Sequence, residues 1–287
     1  MPKPNFFLVG APRCGTTSMY SYLKQHPQVF LPILKEPHFF GTDLTVQPHT
    51  IRDRELYLGL FADAGEHQKV VGEGSVWYLS SPRAPGEIKA FSPEARVLIM
   101  LRDPADMTYS LYSLYRRTGN EDLSTFEEAL AAEADRRRGH RIPPAAYFPE
   151  GLLYTKVASY ARQVERYVET FGRDRVRCVF FEDFVADPAA VYRRTLEFLG
   201  IDAGFQAELD PEKATQRLRP LVLKQLRRTA PEVRARMSSA GIRSHKSPPR
   251  PPLPREVRCR LQSRLSSDVA RLGDFLGRDL TPWRCSD

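Results

Sequence analysis

The segment GAPRCGTTS, residues 10–18, has the spacing of a phosphate-binding loop but lacks the lysine of such a loop. Gly10 and Gly15 have the separation found in Gly-x-x-x-x-Gly-Lys-Ser/Thr, and Thr17 falls at the Ser/Thr position. Thr16 stands where the lysine would be, and the positive charge lies at Arg13. Backbone N–H groups at a helix N-terminus bind anions, so this segment predicts a phosphate cradle. Without the lysine a triphosphate loses its main cation, whereas a single 5′-phosphate is still held.

Polar side chains also end two other apolar runs. Arg102 follows RVLIML directly, and Ser110 stands eight residues further on, a spacing that suits a grip on a second phosphate. Glu73 in KVVGEG ends the other run, where a carboxylate suits a general base for a hydroxyl nucleophile. Plainer interpretations remain: an Arg102–Asp103 surface pair, a solvated Ser110, and Glu73 as a cap or ion-pair partner. Asp103 as a magnesium ligand is a further alternative.

Apolar runs alternate with amphipathic stretches over most of the chain. We expect strands at about 5–10, around 70, at 96–101 and at 175–182, and helices at about 16–25, 53–62, 83–91, 104–118, 124–138, 155–171, 188–199 and 255–277. This alternation predicts an α/β fold in which helices flank a central parallel sheet. Ligands of such sheets bind beyond the carboxyl ends of the strands, where the three polar sites fall.

Composition favours one globular protein without a membrane span. The 287 residues are 41% hydrophobic and 27% charged, which allows a single sizeable core. We expect one domain over 1–287, with its core at about 5–200 and a basic helical region at about 211–287 packed on it. No apolar run is long enough for a bilayer, and the N-terminus lacks a signal-peptide pattern, so we expect a cytoplasmic protein. Four scattered cysteines predict neither a disulfide framework nor a metal site.

The net charge of +8 is concentrated near the C-terminus, where residues 211–264 hold fifteen Lys or Arg against three acids. Such a region could attract nucleic acid, an acidic polysaccharide or a highly charged nucleotide, and a solvated basic face with ordinary helix surface is the alternative. We expect no nucleic-acid partner, because no RNA- or DNA-binding module is recognisable and aromatic residues are not interleaved with the basic ones.

Taken together, the motifs resemble one enzyme family. PRCGTT after the first strand, GEGSVWYL, LRDP…YS and VFFEDFVADPAAVYRRTLEFLGI resemble the sulfotransferases that use 3′-phosphoadenosine 5′-phosphosulfate (PAPS). KEPHFF at 35–40 is typical of bacterial members, and the segment from LPREV to LTPW is similar to the family's final helix and tail. The resemblance implies a single α/β domain with a core like that of P-loop NTPases.

The resemblance also implies roles for individual residues. The 5′-phosphosulfate end of PAPS would be held by Arg13, Cys14, Gly15, Thr16, Thr17 and Ser18, and its 3′-phosphate by Arg102 and Ser110. Glu73 matches the catalytic carboxylate of the carbohydrate-modifying branches, and Arg13 would stabilise charge on the departing oxygen during in-line transfer without a metal. Lys35, Glu36 and His38 would line the acceptor side, with His38 as a rival base. Arg217 in KATQRLRP is the candidate for a C-terminal donor-binding loop.

Several residues depart from the family pattern. Many relatives have lysine where Arg13 stands, and glycosaminoglycan-type relatives often have lysine where Gly74 stands. Ser18 replaces the aromatic residue that the small-phenol branch places against the adenine.

The acceptor would be a hydroxyl of a sugar, lipid or secondary metabolite, and the basic face suits an acidic acceptor. A P-loop nucleotide kinase or NTPase, or a non-catalytic binder of anionic polymers, remains the alternative.

Overall fold

The computed structural model describes residues 2–210, 213, 214, 216, 218, 225, 231–233, 235 and 251–285. Arg217 and much of the basic 211–264 region therefore lie outside the described residues. The chain forms two compact units. The first consists of Met1–Thr42, Pro48–Leu101 and Tyr167–Ile242, and the second of Asp43–Gln47, Arg102–Arg166 and Arg243–Asp287.

The first unit is built on a parallel five-stranded sheet with the order β2-β3-β1-β4-β5. Its strands are β1 (Phe6–Leu8), β2 (Val29–Phe30), β3 (Val70–Gly74), β4 (Arg96–Leu101) and β5 (Val176–Phe180). Its helices are α1 (Thr16–Leu23), α2 (Arg54–Gly59), α3 (Ala84–Phe91), α9 (Phe181–Ala186) and α10 (Pro188–Leu199). Every residue of β1 is buried, as expected for the middle strand of a parallel sheet with both faces covered. The α/β fold with a parallel sheet is confirmed.

The second unit is helical in its described part. It contains α4 (Pro104–Thr118), α5 (Phe126–Ala131), α6 (Glu133–Arg136), α7 (Tyr154–Ala158) and α11 (Arg255–Leu276), while α8 (Tyr160–Phe171) begins in this unit and ends in the first. A buried ion pair lies inside it: Arg136 donates to both carboxylate oxygens of Glu121 at 2.7 Å, and the Tyr154 hydroxyl donates to the same carboxylate at 2.9 Å. No helix of the described residues is long and apolar enough to cross a membrane.

Most boundaries follow from residues with defined backbone preferences. Asp103 caps α4 by accepting the N–H groups of Ala105 and Asp106, and Gly119 ends that helix at φ 76°. Gly200 ends α10 at φ 68°, as the sequence predicts. The predicted strand at 175–182 is too long at its end, because Phe181 begins α9. The two-residue strand β2 was not predicted, since two residues carry no periodicity.

The prediction that the cysteines form no disulfide is wrong, because Cys259 and Cys285 are bonded, with their Cα atoms 5.0 Å apart. Cys259 lies early in α11, and the remaining helix carries the chain about 26 Å away at 1.5 Å per residue. The residues after Gly277, which include a 3₁₀ turn at Thr281–Trp283, bring Cys285 back to Cys259. Neither the spacing of 26 residues nor a local motif announces such a pairing.

We expect denatured, unreduced protein to expose two reactive thiols, those of Cys14 and Cys178, because these are the free cysteines. Reduction before denaturation should raise the number to the four cysteines of the sequence. Titration with a thiol reagent measures both states, and a variant with Cys259→Ser and Cys285→Ser should give the same count with and without reductant. Four thiols in the unreduced wild type would contradict the bond.

Candidate active site

The phosphate-binding segment begins as a continuation of β1 along β4. The Val9 N–H donates to the Leu98 carbonyl at 3.0 Å, and the Ala11 N–H donates to the Met100 carbonyl at 2.6 Å. The Gly10 carbonyl accepts from the Met100 N–H at 2.7 Å. Gly10 has φ 147°, and a Cβ there would lie 2.6 Å from the Val76 carbonyl oxygen. Only glycine therefore fits this entry to the loop.

The loop itself turns through left-handed backbone at two positions. Arg13 has φ 61°, and Gly15, which precedes α1, has φ 82°. Successive residues that change between right- and left-handed conformation point their N–H groups into a common concavity, which binds anions. The first turn of α1 holds no acidic residue, Thr16 is buried, and Thr17 is exposed. This backbone form and the absence of an acid suit an anion, and phosphate binding at the loop stays a prediction.

Cys14 has a structural place in this loop. Its thiol is buried and donates to the Pro12 carbonyl at 3.3 Å, within the loop itself. A Cβ on Gly15 would meet the Phe181 ring at 3.0 Å, so the loop also packs tightly against the start of α9. Both contacts hold the backbone N–H groups in position.

Glu73 lies on β3, the strand next to β1, and its side chain is completely buried. Three hydroxyls donate to the carboxylate: Tyr57 at 2.9 Å and Tyr78 at 2.8 Å to Oε1, and Ser75 at 2.6 Å to Oε2. Burial raises the pKa of Glu73 to about 7, even though the three hydrogen bonds lower it. Both oxygens are therefore occupied by protein groups.

The KEPHFF segment is attached to this buried carboxylate. The Ser75 hydroxyl accepts from the His38 N–H at 3.2 Å, and the Tyr78 hydroxyl accepts from the Phe40 N–H at 3.2 Å. The Glu36 N–H also donates to the Gly74 carbonyl at 2.8 Å, at the end of β3. Glu36 and His38 have φ 65° and 50°, left-handed values that these hydrogen bonds hold in place.

Around Glu36 lies a cluster of charged and titratable side chains. Lys35 Nζ is 2.6 Å from Glu36 Oε1, and His38 Nε2 is 3.5 Å from Glu36 Oε2. Burial alone would raise the pKa of Glu36, but Lys35 and His38 outweigh it and hold that pKa well below its usual range. The ring of His49 lies 5.2 Å from that of His38, and burial lowers the pKa of His49 to about 4. Glu36 keeps 29% of its side chain exposed.

Arg102 and Ser110 belong to the second unit. Arg102 follows β4 in the chain and is half-buried, and Ser110 is buried two turns into α4. Asp103 between them caps α4 and accepts a further hydrogen bond from Gln262 at 3.2 Å. This cap accounts for the carboxylate without a magnesium ion.

The predicted residues thus fall into three groups. The loop at 10–18, Glu73 and Lys35–His38 lie in the first unit, Arg102 and Ser110 in the second, and Arg217 outside the described residues. Sequence reasoning missed the partners of Glu73 and the position of His49. Two of these partners, Ser75 and Tyr78, stand beside Glu73 in GEGSVWYL, so their nearness in the chain was a usable signal.

Comparison with known proteins decides the family. The family described as "Sulfotransferase domain" matches residues 3–247. The chain belongs to the sulfotransferase family. The crystal structure of a sulfotransferase from Alicyclobacillus acidocaldarius is similar at 33% sequence identity and a TM-score of 0.77, covering 99% of this chain and 100% of that one. The predicted family and fold are confirmed, and the kinase alternative is not favoured.

Curated relatives of this sulfotransferase match over shorter segments. Carbohydrate sulfotransferase 15 of Rattus norvegicus is 33% identical over 170 residues, which cover 44% of this chain and 30% of that protein. Heparan sulfate glucosamine 3-O-sulfotransferase 3B1 of Mus musculus is 25% identical over 203 residues, which cover 69% of this chain and 46% of that protein. The matched segments therefore span less than half the length of either relative.

The raised pKa of Glu73 has a consequence for stability. An unfolded glutamate ionises near 4.5 and folded Glu73 near 7, so between these values the folded state binds more protons and the wild type loses stability as the pH rises. Glu73→Gln lacks this titration. The free energy of unfolding of the variant minus that of the wild type should therefore rise by up to about 3 kcal/mol from pH 4.5 to 8. Urea denaturation across that range measures the difference.

The exposed Glu66→Gln variant is the matched control and should show no such trend. A difference between Glu73→Gln and the wild type that stays constant from pH 4.5 to 8 would show that Glu73 ionises at its ordinary pH.

Proposed function

We propose that this chain transfers a sulfuryl group from PAPS to an acceptor hydroxyl by in-line displacement. The observation that carries the proposal is the phosphate loop of a sulfotransferase-family chain, in which Thr16 replaces the Walker lysine and the first turn of α1 holds no acid. Such a loop suits the single 5′-phosphate of PAPS better than a triphosphate with its magnesium. The acceptor oxygen bonds to sulfur while the bond from sulfur to the 5′-phosphate oxygen breaks, releasing 3′-phosphoadenosine 5′-phosphate (PAP).

The donor-side residues keep the roles that the sequence predicts. The N–H groups after Arg13 and the hydroxyls of Thr16, Thr17 and Ser18 hold the 5′-phosphate, and the Arg13 guanidinium stabilises charge on the departing oxygen. Arg102 and Ser110 bind the 3′-phosphate, because a guanidinium fork matches a phosphate face.

For the base, we propose Glu36 in place of the predicted Glu73. A general base has to come within hydrogen-bond distance of the proton it removes, and geometry is considered before pKa. Glu73 is fully buried with three hydroxyls on its carboxylate, whereas Glu36 reaches the surface. Glu73 then acts as a positioning residue, since Ser75 and Tyr78 pass its hydrogen bonds to the backbone of His38 and Phe40.

A carbohydrate hydroxyl is the acceptor that we propose first. The relatives named above are carbohydrate and heparan sulfate sulfotransferases, although each is matched over less than half of its length. The excess of 43 Lys and Arg over 35 Asp and Glu favours an acidic polymer as the acceptor. A cytoplasmic location stays a prediction.

Donor binding is the first test. We expect PAP to bind without a divalent ion and ATP with magnesium to bind weakly, as measured by calorimetric titration. Arg102→Ala should weaken PAP binding by about 1.5–3 kcal/mol, the scale of a lost charged hydrogen bond, while Arg117→Ala, at an exposed position of α4, should not. A preference for ATP with magnesium would refute the proposed donor, and unchanged affinity in Arg102→Ala would refute the 3′-phosphate site.

The base is tested by measuring turnover with labelled PAPS and a carbohydrate acceptor whose hydroxyl is not yet sulfated. Glu36→Gln should lower kcat by about 10²–10⁴-fold, the usual contribution of a general base, with PAP binding unchanged. Glu73→Gln should lower kcat much less and leave the shape of the pH profile unaltered. Because the pKa of Glu36 is low, wild-type kcat/KM should show no acid limb near pH 7.

The opposite pattern would restore Glu73 as the base. It consists of an acid limb near pH 7 that disappears in Glu73→Gln, together with an active Glu36→Gln. The Glu66→Gln variant, at an exposed residue, serves as the control for both.

A further inference from the structure

A second ligand-binding arrangement overlaps the acceptor side of the site. Glu36, His38 and His49 each offer one ligand atom, and these atoms lie within 4.8 Å of one another. Two imidazoles and one carboxylate form the ligand set of many three-residue sites for divalent transition ions, which leave a further position open. His49 has no role in the proposed sulfuryl transfer, so the cluster is more than a restatement of that site.

The state of His38 is the observation that points to a ligand. Its side chain is only 5% exposed, and both ring nitrogens are buried without a hydrogen-bond partner among the described residues. Glu36 Oε2 is 3.5 Å from His38 Nε2, at the outer limit for a hydrogen bond. Buried imidazole nitrogens almost always have partners, because an unpaired buried polar group is costly. A metal ion would supply the missing partner.

The backbone holds the three side chains in place from two segments. The Ile51 N–H donates to the Pro37 carbonyl at 2.8 Å, which fixes the segment of His49 beside that of Glu36 and His38. Arg52 strengthens the same junction by donating to the Phe39 and Phe40 carbonyls at 2.7 and 3.0 Å. The ligand set is therefore assembled by the fold before any ion binds.

The distances require a modest contraction on binding. Two ligand atoms of a tetrahedral ion with bonds of about 2.1 Å lie about 3.4 Å apart, so no pair would have to close by more than about 1.4 Å. Rotation of the side chains, above all of the partly exposed Glu36 and His49, supplies such a movement. Lys35 opposes the ion, because its ammonium lies 2.6 Å from the other oxygen of the same carboxylate.

We propose that Glu36, His38 and His49 bind a divalent transition ion, with Zn²⁺ as the probe, and that the bound ion blocks sulfuryl transfer by occupying Glu36. Imidazole favours Zn²⁺ over Mg²⁺, which prefers oxygen ligands, so Mg²⁺ should not compete. Only the inhibition rests on the proposed function, whereas binding stands on the cluster alone.

Binding is measured on the whole chain by competition between the protein and a chromophoric chelator for Zn²⁺. We expect saturable binding of one ion per chain, weakened at least about tenfold by His49→Ala and by Glu36→Gln, as for lost ligands. His67→Ala, at an exposed histidine, is the matched control and should bind as the wild type does. Lys35→Gln should bind more tightly, because it removes the competing charge.

Two further readouts separate a metal site from a change in folding. Co²⁺ bound to the wild type should give visible absorption bands of a low-coordinate ion, and these should be absent in His49→Ala and in a second variant, His49→Asn, both with unchanged circular dichroism. Zn²⁺ should inhibit transfer by the wild type and inhibit His49→Ala much less. If the chain transfers no sulfuryl group, the binding result still decides the site.

Zn²⁺ binding that is the same in the wild type, Glu36→Gln and His49→Ala would overturn the proposal, as would the absence of saturable binding by the wild type. Tighter binding in His49→Ala than in Lys35→Gln would overturn it as well, since the ligand set would then lie elsewhere.

Discussion

The buried carboxylate of Glu73 is the constraint on which the conformation of the KEPHFF segment depends. An ionisable group without solvent contact is costly unless it is paired or hydrogen-bonded, and here three hydroxyls from separate parts of the first unit meet it. Tyr57 comes from α2, Ser75 from the residue after β3, and Tyr78 from the turn that follows. The hydrogen bonds of the carboxylate are therefore complete only when α2, the end of β3 and the turn after it are arranged around it in this way.

The hydrogen bonds around Glu73 also fix the strained KEPHFF segment that packs against it. Ser75 and Tyr78 use their hydroxyl oxygens to accept backbone N–H groups of His38 and Phe40, so the hydrogen bonds continue from the carboxylate into KEPHFF. Left-handed backbone at two residues other than glycine costs about 1–3 kcal/mol each and persists only where its surroundings determine it. The conformation that presents Glu36 and His38 is thus supported from beneath by a group that no ligand needs to touch.

The sequence predicts the scaffold much better than this network. Some features could be predicted directly from residue types. These are the two glycines of the loop, the apolar run of β4 and the end of a helix at Gly200. The partners of Glu73 could not all be predicted, because Tyr57 lies 16 residues before it and the sequence does not show which strand a buried residue of a short helix contacts. For the same reason His49 and the Cys259–Cys285 bond escaped prediction, since both depend on where a loop or tail returns. Glu73 was predicted as a base from its strand position, which specifies an end of the sheet but neither the burial of the side chain nor the three hydroxyls that bond to it.

The distribution of charge explains why carboxylates are tolerated in a site built for anions. The first turn of α1 has no acid, and the loop carries Arg13, so the positive end of the helix is left for the donor. Across the same sheet edge, Glu73 is insulated by hydroxyls, and Glu36 is neutralised by Lys35 at 2.6 Å. The Lys35 ammonium offsets the charge of Glu36, whereas the hydroxyls on Glu73 stabilise its carboxylate without cancelling its charge. In both proposals the Lys35–Glu36 pair would therefore set how strongly this partly exposed carboxylate acts, either on a proton or on a cation.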